Sequence, residues 1–114
     1  MSDPGSTGAG AARGDVLAAL VAGRPEAASR LVAEVLGPLR ALPEAECALL
    51  LATLDAWLSA DGSAAGAAAR LGCHRNTVAN RLRRLERATA RSVTRPRDLA
   101  ELTLALAALR LPPA

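Results

Sequence analysis

The chain contains almost no aromatic residues: phenylalanine and tyrosine are absent, and Trp57 is the single tryptophan among 114 residues. β-Branched residues are also scarce, whereas alanine and leucine dominate the 51% of the sequence that is hydrophobic. Alanine and leucine favour helices, and sheets draw mainly on β-branched and aromatic residues, so this composition argues against a sheet. The sequence therefore predicts an all-α fold, a small helical bundle with the length of one domain.

Residues with reactive side chains are few. His74 is the only histidine, and Cys47 and Cys73 are the only cysteines. Paired carboxylates, a nucleophile beside a base, a glycine-rich phosphate loop and a metal-ligand set are all missing, so we expect neither an enzyme nor a cofactor or metal site. Two isolated cysteines at apolar helical positions do not make a disulfide framework, which indicates a reducing compartment, the cytoplasm.

Long hydrophobic runs are missing as well. No stretch approaches the roughly 18 apolar residues of a membrane-spanning helix. The apolar run at residues 16–22 is short and is preceded by Asp3 and Asp15, which is atypical of a signal peptide. We therefore expect no membrane attachment.

Lysine is absent, so all 14 basic residues are arginines. Nine of them lie within residues 70–97, where Glu86 is the single acidic residue, while the rest of the chain is mildly acidic. A coding bias explains most of the missing lysine, but not this uneven distribution. Arginine binds phosphate through paired hydrogen bonds, and one basic segment on an acidic body is typical of a surface that meets a polyanion.

Three segments are expected along the chain. Residues 1–13 are rich in glycine, serine and proline and predict a disordered tail. Residues 15–42 predict two N-terminal helices, of which the second opens at Pro25 and ends at the pair Gly37-Pro38. Residues 43–111 begin with a supporting helix that runs to about Ser59.

Residues 63–87 predict two helices joined by a tight turn. Ser63 can cap the first helix, and Gly72 supplies the positive φ with which helices commonly end. The second helix follows three residues later. Its apolar positions form one stripe, at Val78, Leu82 and Leu85. This layout is that of a helix-turn-helix, whose second helix lies in the major groove of DNA.

The opposite face of the second helix is polar and basic. Arginine can donate twice to guanine and asparagine can pair with adenine, so both types suit a reader of base edges. The predicted base-reading residues are Arg75, Asn76, Asn80 and Arg83. Hydroxyl and guanidinium groups around them suit phosphates. The predicted backbone contacts are Ser63, Thr77, Arg81, Arg84 and Arg87.

Two interpretations compete for this charged face. It could be an ordinary solvated surface of a helical protein-interaction or dimerisation module that does not bind DNA. A protein-binding face would be expected to expose leucine, methionine or aromatic anchors, and this face has none. The sequence therefore favours a sequence-specific transcriptional regulator whose partner is double-stranded DNA.

A set of motifs resembles the C-terminal helix-turn-helix of PucR-type transcriptional regulators, the class that includes sugar-diacid regulators. The motifs are Thr53-Leu54, Trp57-Leu58, Ala67-Ala68 with Leu71, His74-Arg-Asn-Thr-Val78, Arg81-Leu82-Arg83-Arg84-Leu85 and the leucine pattern of residues 99–106. The resemblance extends over residues 32–111 and implies a DNA-binding domain within residues 43–111. Asn80 stands where the family usually has an aromatic residue, and Ala90 where it favours glycine. No small-molecule effector is identified.

A homodimer is the expected working unit, because one recognition helix reads few base pairs and two-fold dimers read two half-sites. The final helix, from about Arg97 to Arg110, carries the apolar positions Leu99, Leu102, Leu104, Leu106, Ala108, Leu109 and Leu111. The N-terminal helices carry a competing set, Val16, Leu17, Leu20, Leu31 and Val35. In the alternative arrangement, the N-terminal helices simply cover the final helix within one chain.

Overall fold

The computed structural model describes residues 16–111 of the chain. The predicted disordered tail at residues 1–13 lies outside this range. The elements in order are α1 (residues 16–22), α2 (Pro25–Leu31), a π-helical turn (Val32–Leu36), a 3-10 turn (Gly37–Ala41), α3 (Glu44–Ser59), α4 (Ala64–Leu71), α5 (Arg75–Thr89) and α6 (Pro96–Leu109). This range contains no strand, so the prediction of an all-α fold is confirmed.

The pair Gly37-Pro38 changes the type of helix rather than ending it. The prediction that the helical path stops there is wrong, because helical backbone continues beyond α2 through the π-helical turn and then, from Gly37 itself, through the 3-10 turn as far as Ala41. Pro38 lacks a backbone N–H, but a residue at the start of a new helical turn does not need that donor. The continued path carries Val35 and Leu39 into the core, where they are 1% and 0% exposed.

α3 is the scaffold of the molecule, as the sequence predicts. It contacts α4, α5, α6 and the 3-10 turn. Leu50 and Leu54 are fully buried at its centre. Near its C-terminal end, Asp55 accepts a hydrogen bond from Arg110 at 2.8 Å, which joins α3 to the residue that follows α6. The same contact raises the pKa of Arg110 above its ordinary value.

α6 lies under the N-terminal helices. Leu102 and Ala105 are fully buried and Leu106 is 5% exposed, packed against α2 and the π-helical turn. The expectation that this stripe is free for a partner is therefore wrong at Leu102 and Leu106, because the chain's own N-terminal helices cover it. Leu109, at 42% exposed, remains accessible. No helix within residues 16–111 has both the length and the apolar character needed to cross a bilayer.

The end of α5 is strained at one residue. Ala90 follows the last turn with a φ of 55°, in the left-handed region. A side chain with a Cβ pays roughly 1–2 kcal/mol for that conformation. Gly72, which ends α4 with a φ of 67°, adopts the same conformation without that strain.

The substitution Ala90→Gly should raise the free energy of unfolding by about 1 kcal/mol, because it relieves the left-handed strain by more than it costs in chain entropy. Urea denaturation of the two proteins measures this difference. Gly72→Ala is the matched control and should destabilise by about the same amount, since a Cβ there meets nothing within 4 Å and only the backbone is affected. A less stable Ala90→Gly protein would contradict the assignment of strain to Ala90.

Candidate nucleic-acid interface

α4 begins and ends as the sequence predicts. The Oγ atom of Ser63 accepts a hydrogen bond from the backbone N–H of Gly66 at 2.9 Å, so the first turn is capped. At the other end, the left-handed Gly72 stops the helix, and the N–H of Cys73 donates back to the carbonyl of Ala68 at 3.1 Å. This hydrogen bond closes the turn of the helix-turn-helix and fixes the direction in which the chain leaves α4.

α5 has a cap that the sequence analysis did not identify. The Nδ1 atom of His74 accepts a hydrogen bond from the backbone N–H of Asn76 at 3.0 Å. Serine, threonine, asparagine and aspartate are the usual residues at this position, so His74 gave no signal of a capping role. The interaction fixes the tautomer as well, because an accepting Nδ1 leaves the proton of a neutral ring on Nε2.

The inward face of α5 packs across α4 and α3. Val78 and Leu82 join Ala67 and Ala68 of α4 in one buried cluster, where the small alanines allow the helices to approach closely. Leu85, one turn further, belongs to the main core with α3 and α6. Because the stripe is buried along its whole length, the rotation of α5 about its own axis is fixed.

The four predicted base-reading residues are all accessible on α5, with Asn76, Asn80 and Arg83 on the side opposite the stripe and Arg75 on a flank at the first turn. They are Arg75, Asn76, Asn80 and Arg83, and each of them is exposed. Two of them contact each other, since the guanidinium of Arg83 donates a hydrogen bond to the Oδ1 atom of Asn80. The structure thus leaves all four accessible at the N-terminal and central turns of the helix.

The predicted backbone-contacting residues are placed less uniformly. Arg87 is exposed, whereas Thr77 and Arg81 are half-buried on the flanks. Ser63 is exposed, but its oxygen is already engaged as the cap of α4. Arg84 leans toward α3, where its Nη1 atom lies 3.3 Å from the carboxylate of Glu46. An open groove lies along this flank, lined by Thr77, Asn80, Arg81, Arg83, Arg84, Arg87 and Leu49.

The connector of residues 90–95 is held in place by hydrogen bonds from its backbone to acidic side chains. Glu86 accepts a hydrogen bond from the backbone N–H of Val93 at 2.8 Å, and Asp98 accepts one from that of Ser92 at 2.9 Å. From the sequence, Glu86 stands out only as the single acidic residue of the basic segment at residues 70–97. Its structural role could not be anticipated, because the contact spans seven residues and depends on how the connector folds back.

The connector, held by these hydrogen bonds, places a further arginine beside the basic face. Arg95 is exposed and lines an open cleft together with Arg83 and Arg87 of α5. In the sequence, Arg95 is one of the nine arginines of the basic segment, and no local pattern predicts a role for it. Within residues 16–111, no group of three or more histidine, cysteine, aspartate or glutamate side chains is placed to hold a metal ion.

Replacing His74 by alanine should lower the free energy of unfolding by about 1 kcal/mol, because it removes the acceptor for the Asn76 amide. His74 is exposed, so little packing is lost with it. His74→Asn restores an acceptor at the cap and should recover most of the stability. Thermal unfolding of the three proteins measures the effect, and equal losses for both variants would show that the ring, rather than the cap, is what matters.

Comparison with known proteins agrees with this geometry. The model of the PucR C-terminal helix-turn-helix domain matches residues 50–108, just over half of the chain and the part that contains α4, the turn and α5. No curated protein and no solved structure matches the chain. With the capped helix pair, the buried stripe and this match in place, the chain belongs to the family of PucR C-terminal helix-turn-helix domains.

Proposed function

We propose that this protein is a sequence-specific transcriptional regulator that reads the major groove of double-stranded DNA with α5. The observation that carries the proposal is the division of α5 into a fully buried apolar stripe and an exposed basic face. Membership of a helix-turn-helix family supports a DNA-binding role. Such a role would place the protein in the cytoplasm, the compartment that its two isolated cysteines also indicate.

Base reading is assigned to the exposed N-terminal and central turns of α5. The N-terminal residues of a recognition helix approach the base edges most closely, which favours Arg75 and Asn76 as the first readers. Asn80 follows one turn later, and Arg83 reaches further along the groove. These side chains carry the donors and acceptors that distinguish base pairs in the major groove.

Backbone contacts are assigned to the flanks of the same face. Arg81 and Arg87 offer guanidinium groups, and Ser63 and Thr77 offer hydroxyls that can still donate to a phosphate. Arg84 belongs to this set, but Glu46 competes with DNA for its guanidinium. Arg95 is an additional candidate, because it shares a cleft with Arg83 and Arg87.

A helical protein-interaction module without DNA binding is the competing function. Its support would have to come from apolar anchors on the exposed face of α5. Leu49 of α3, at 37% exposed, borders the groove but stands alone among arginines and polar side chains. The face therefore fits a polyanion better than an apolar protein surface.

We further propose that the protein acts as a homodimer. The middle of the α6 stripe is covered within the chain, so the surface assigned to the partner is α1 with the end of α6. Val16 and Leu20 of α1 are 64% and 57% exposed, and Leu109 is 42% exposed. Large apolar side chains exposed in this way are typical of a protein interface when they form one patch.

Selection of bound duplexes from a random-sequence pool tests the function directly. We expect one enriched sequence, and on that site Arg75→Ala should cost roughly 1–3 kcal/mol of binding free energy and relax discrimination at one base pair. Titration of the selected and the scrambled duplex measures both effects. An equal loss on the two duplexes would make Arg75 a phosphate contact, and no enrichment at all would contradict sequence-specific binding.

The salt dependence of binding tests Arg87 and Arg84 separately as phosphate contacts. Arg87→Ala should lower the slope of log affinity against log salt by about one unit, because one phosphate contact is lost. Glu46→Gln should raise the slope, since it frees Arg84 for a phosphate without touching the DNA-facing residues. A slope unchanged by Arg87→Ala would remove Arg87 from the footprint, and a slope unchanged by Arg84→Ala, in the wild type and in Glu46→Gln alike, would remove Arg84.

Sedimentation at micromolar concentration tests the dimer. The wild-type protein should sediment as a dimer, and Leu20→Glu should shift it to a monomer, because a buried charge opposes an apolar interface. Ala27→Glu on the exposed side of α2 is the control and should leave the dimer unchanged. A wild-type monomer that stays one-to-one on its DNA site would overturn the proposal.

A further inference from the structure

Asn80 and Arg83 form a hydrogen-bonded pair on the exposed face of α5. The Nη2 atom of Arg83 donates to the Oδ1 atom of Asn80, which lies one turn earlier. A guanidinium group has donors and no acceptor, so the amide atom that faces it has to be the oxygen. The chemistry therefore fixes the orientation of the Asn80 amide, and its NH2 group points away from Arg83.

The neighbouring carboxylates do not compete for Arg83. Glu86 lies one turn further along α5, but its carboxylate accepts from the backbone N–H of Val93 at 2.8 Å. Glu46 of α3 is engaged by Arg84 at 3.3 Å. Asp98 lines the same cleft as Arg83, and its carboxylate accepts from the backbone N–H of Ser92 at 2.9 Å. Within residues 16–111, the acceptor hydrogen-bonded to the guanidinium of Arg83 is Asn80.

This pairing changes what Asn80 can recognise. An asparagine that reads adenine donates to N7 and accepts from the N6 amino group through its Oδ1 atom. In the pair, Oδ1 is already bound to a cation, and a base donor brought to its second lone pair would meet the guanidinium charge. The remaining polar atoms of Asn80 and Arg83 are all donors.

Guanine is the base whose major-groove edge is complementary to a row of donors, because it presents two acceptors, N7 and O6. We infer that the Asn80–Arg83 pair reads a guanine, with Asn80 as the positioning residue that holds Arg83 in place. This inference rests on the proposed function. It replaces the separate base contact assigned to Asn80 above, an adenine by residue type alone, with a guanine contact made through Arg83.

Pool selection with the wild-type protein and the exposed-face variant Arg83→Ala tests the pair. The wild-type site should contain a guanine at the position that this substitution changes. Arg83→Ala frees the Oδ1 atom of Asn80 to accept from a base. The base selected at this same DNA position should therefore shift from guanine toward adenine. Arg87→Ala, an arginine one turn further on, should weaken binding without changing the base selected.

A second variant separates positioning from direct contact. Asn80→Ala removes the acceptor that orients Arg83, so discrimination for guanine should fall about tenfold while the preferred base stays guanine. Substituting 7-deazaguanine at that position of the wild-type site removes the N7 acceptor and should weaken binding about tenfold as well. This readout does not depend on any protein variant.

The outcomes distinguish this inference from the function on which it rests. An adenine in the wild-type site at the position altered by Arg83→Ala, or binding that is insensitive to 7-deazaguanine there, would overturn the pair while leaving sequence-specific DNA binding intact. Loss of the guanine preference in Asn80→Ala, with a new base preferred, would make Asn80 a direct reader and also overturn it. A wild-type protein that selects no duplex overturns the proposed function and the pair together.

Discussion

The packing of the α5 stripe across two other helices is the constraint on which the rest of the structure depends. Val78 and Leu82 pack on the alanines of α4, and Leu85 packs into the core built on α3 and α6. Leucine and valine side chains buried this completely each contribute roughly 1.5–3 kcal/mol, so α5 cannot rotate to bury a different face. The outward direction of Arg75, Asn80 and Arg83 is a consequence of that packing and needs no contact of its own.

The few acidic side chains near this face complete the arrangement. Glu86 and Asp98 accept hydrogen bonds from the backbone of the connector, and Glu46 receives Arg84. Each carboxylate therefore has a structural partner on or behind the edge of the basic face. Arg75 and Arg87 are left exposed for a polyanion, and Arg83 is held by a neutral amide rather than neutralised by an acid. This division keeps the positive charge on the side that the proposed function assigns to DNA.

Local signals predicted most of the fold and the outline of the site. Three features depend on residues within one or two helical turns of each other, so they could be inferred from spacing alone. They are the cap at Ser63, the helix end at Gly72 and the apolar stripe at Val78, Leu82 and Leu85. Contacts that depend on tertiary packing could not. No local pattern predicted the cap at His74 or the hydrogen bond from Val93 to Glu86, and the covering of α6 by the N-terminal helices was only one of two alternatives. The Gly37-Pro38 pair misled because a proline can open a new helical turn as readily as it ends an old one.

The proposed function requires the exposed face of α5 to be the surface that meets DNA. Mapping of backbone amide chemical shifts by NMR, with the protein titrated by its selected duplex, tests this most directly. We expect the largest shifts on α5 from Arg75 to Arg87 and on the N-terminal turn of α4, with small shifts on α1 and α6. Shifts concentrated on α1 or α6, with α5 unchanged, would contradict it.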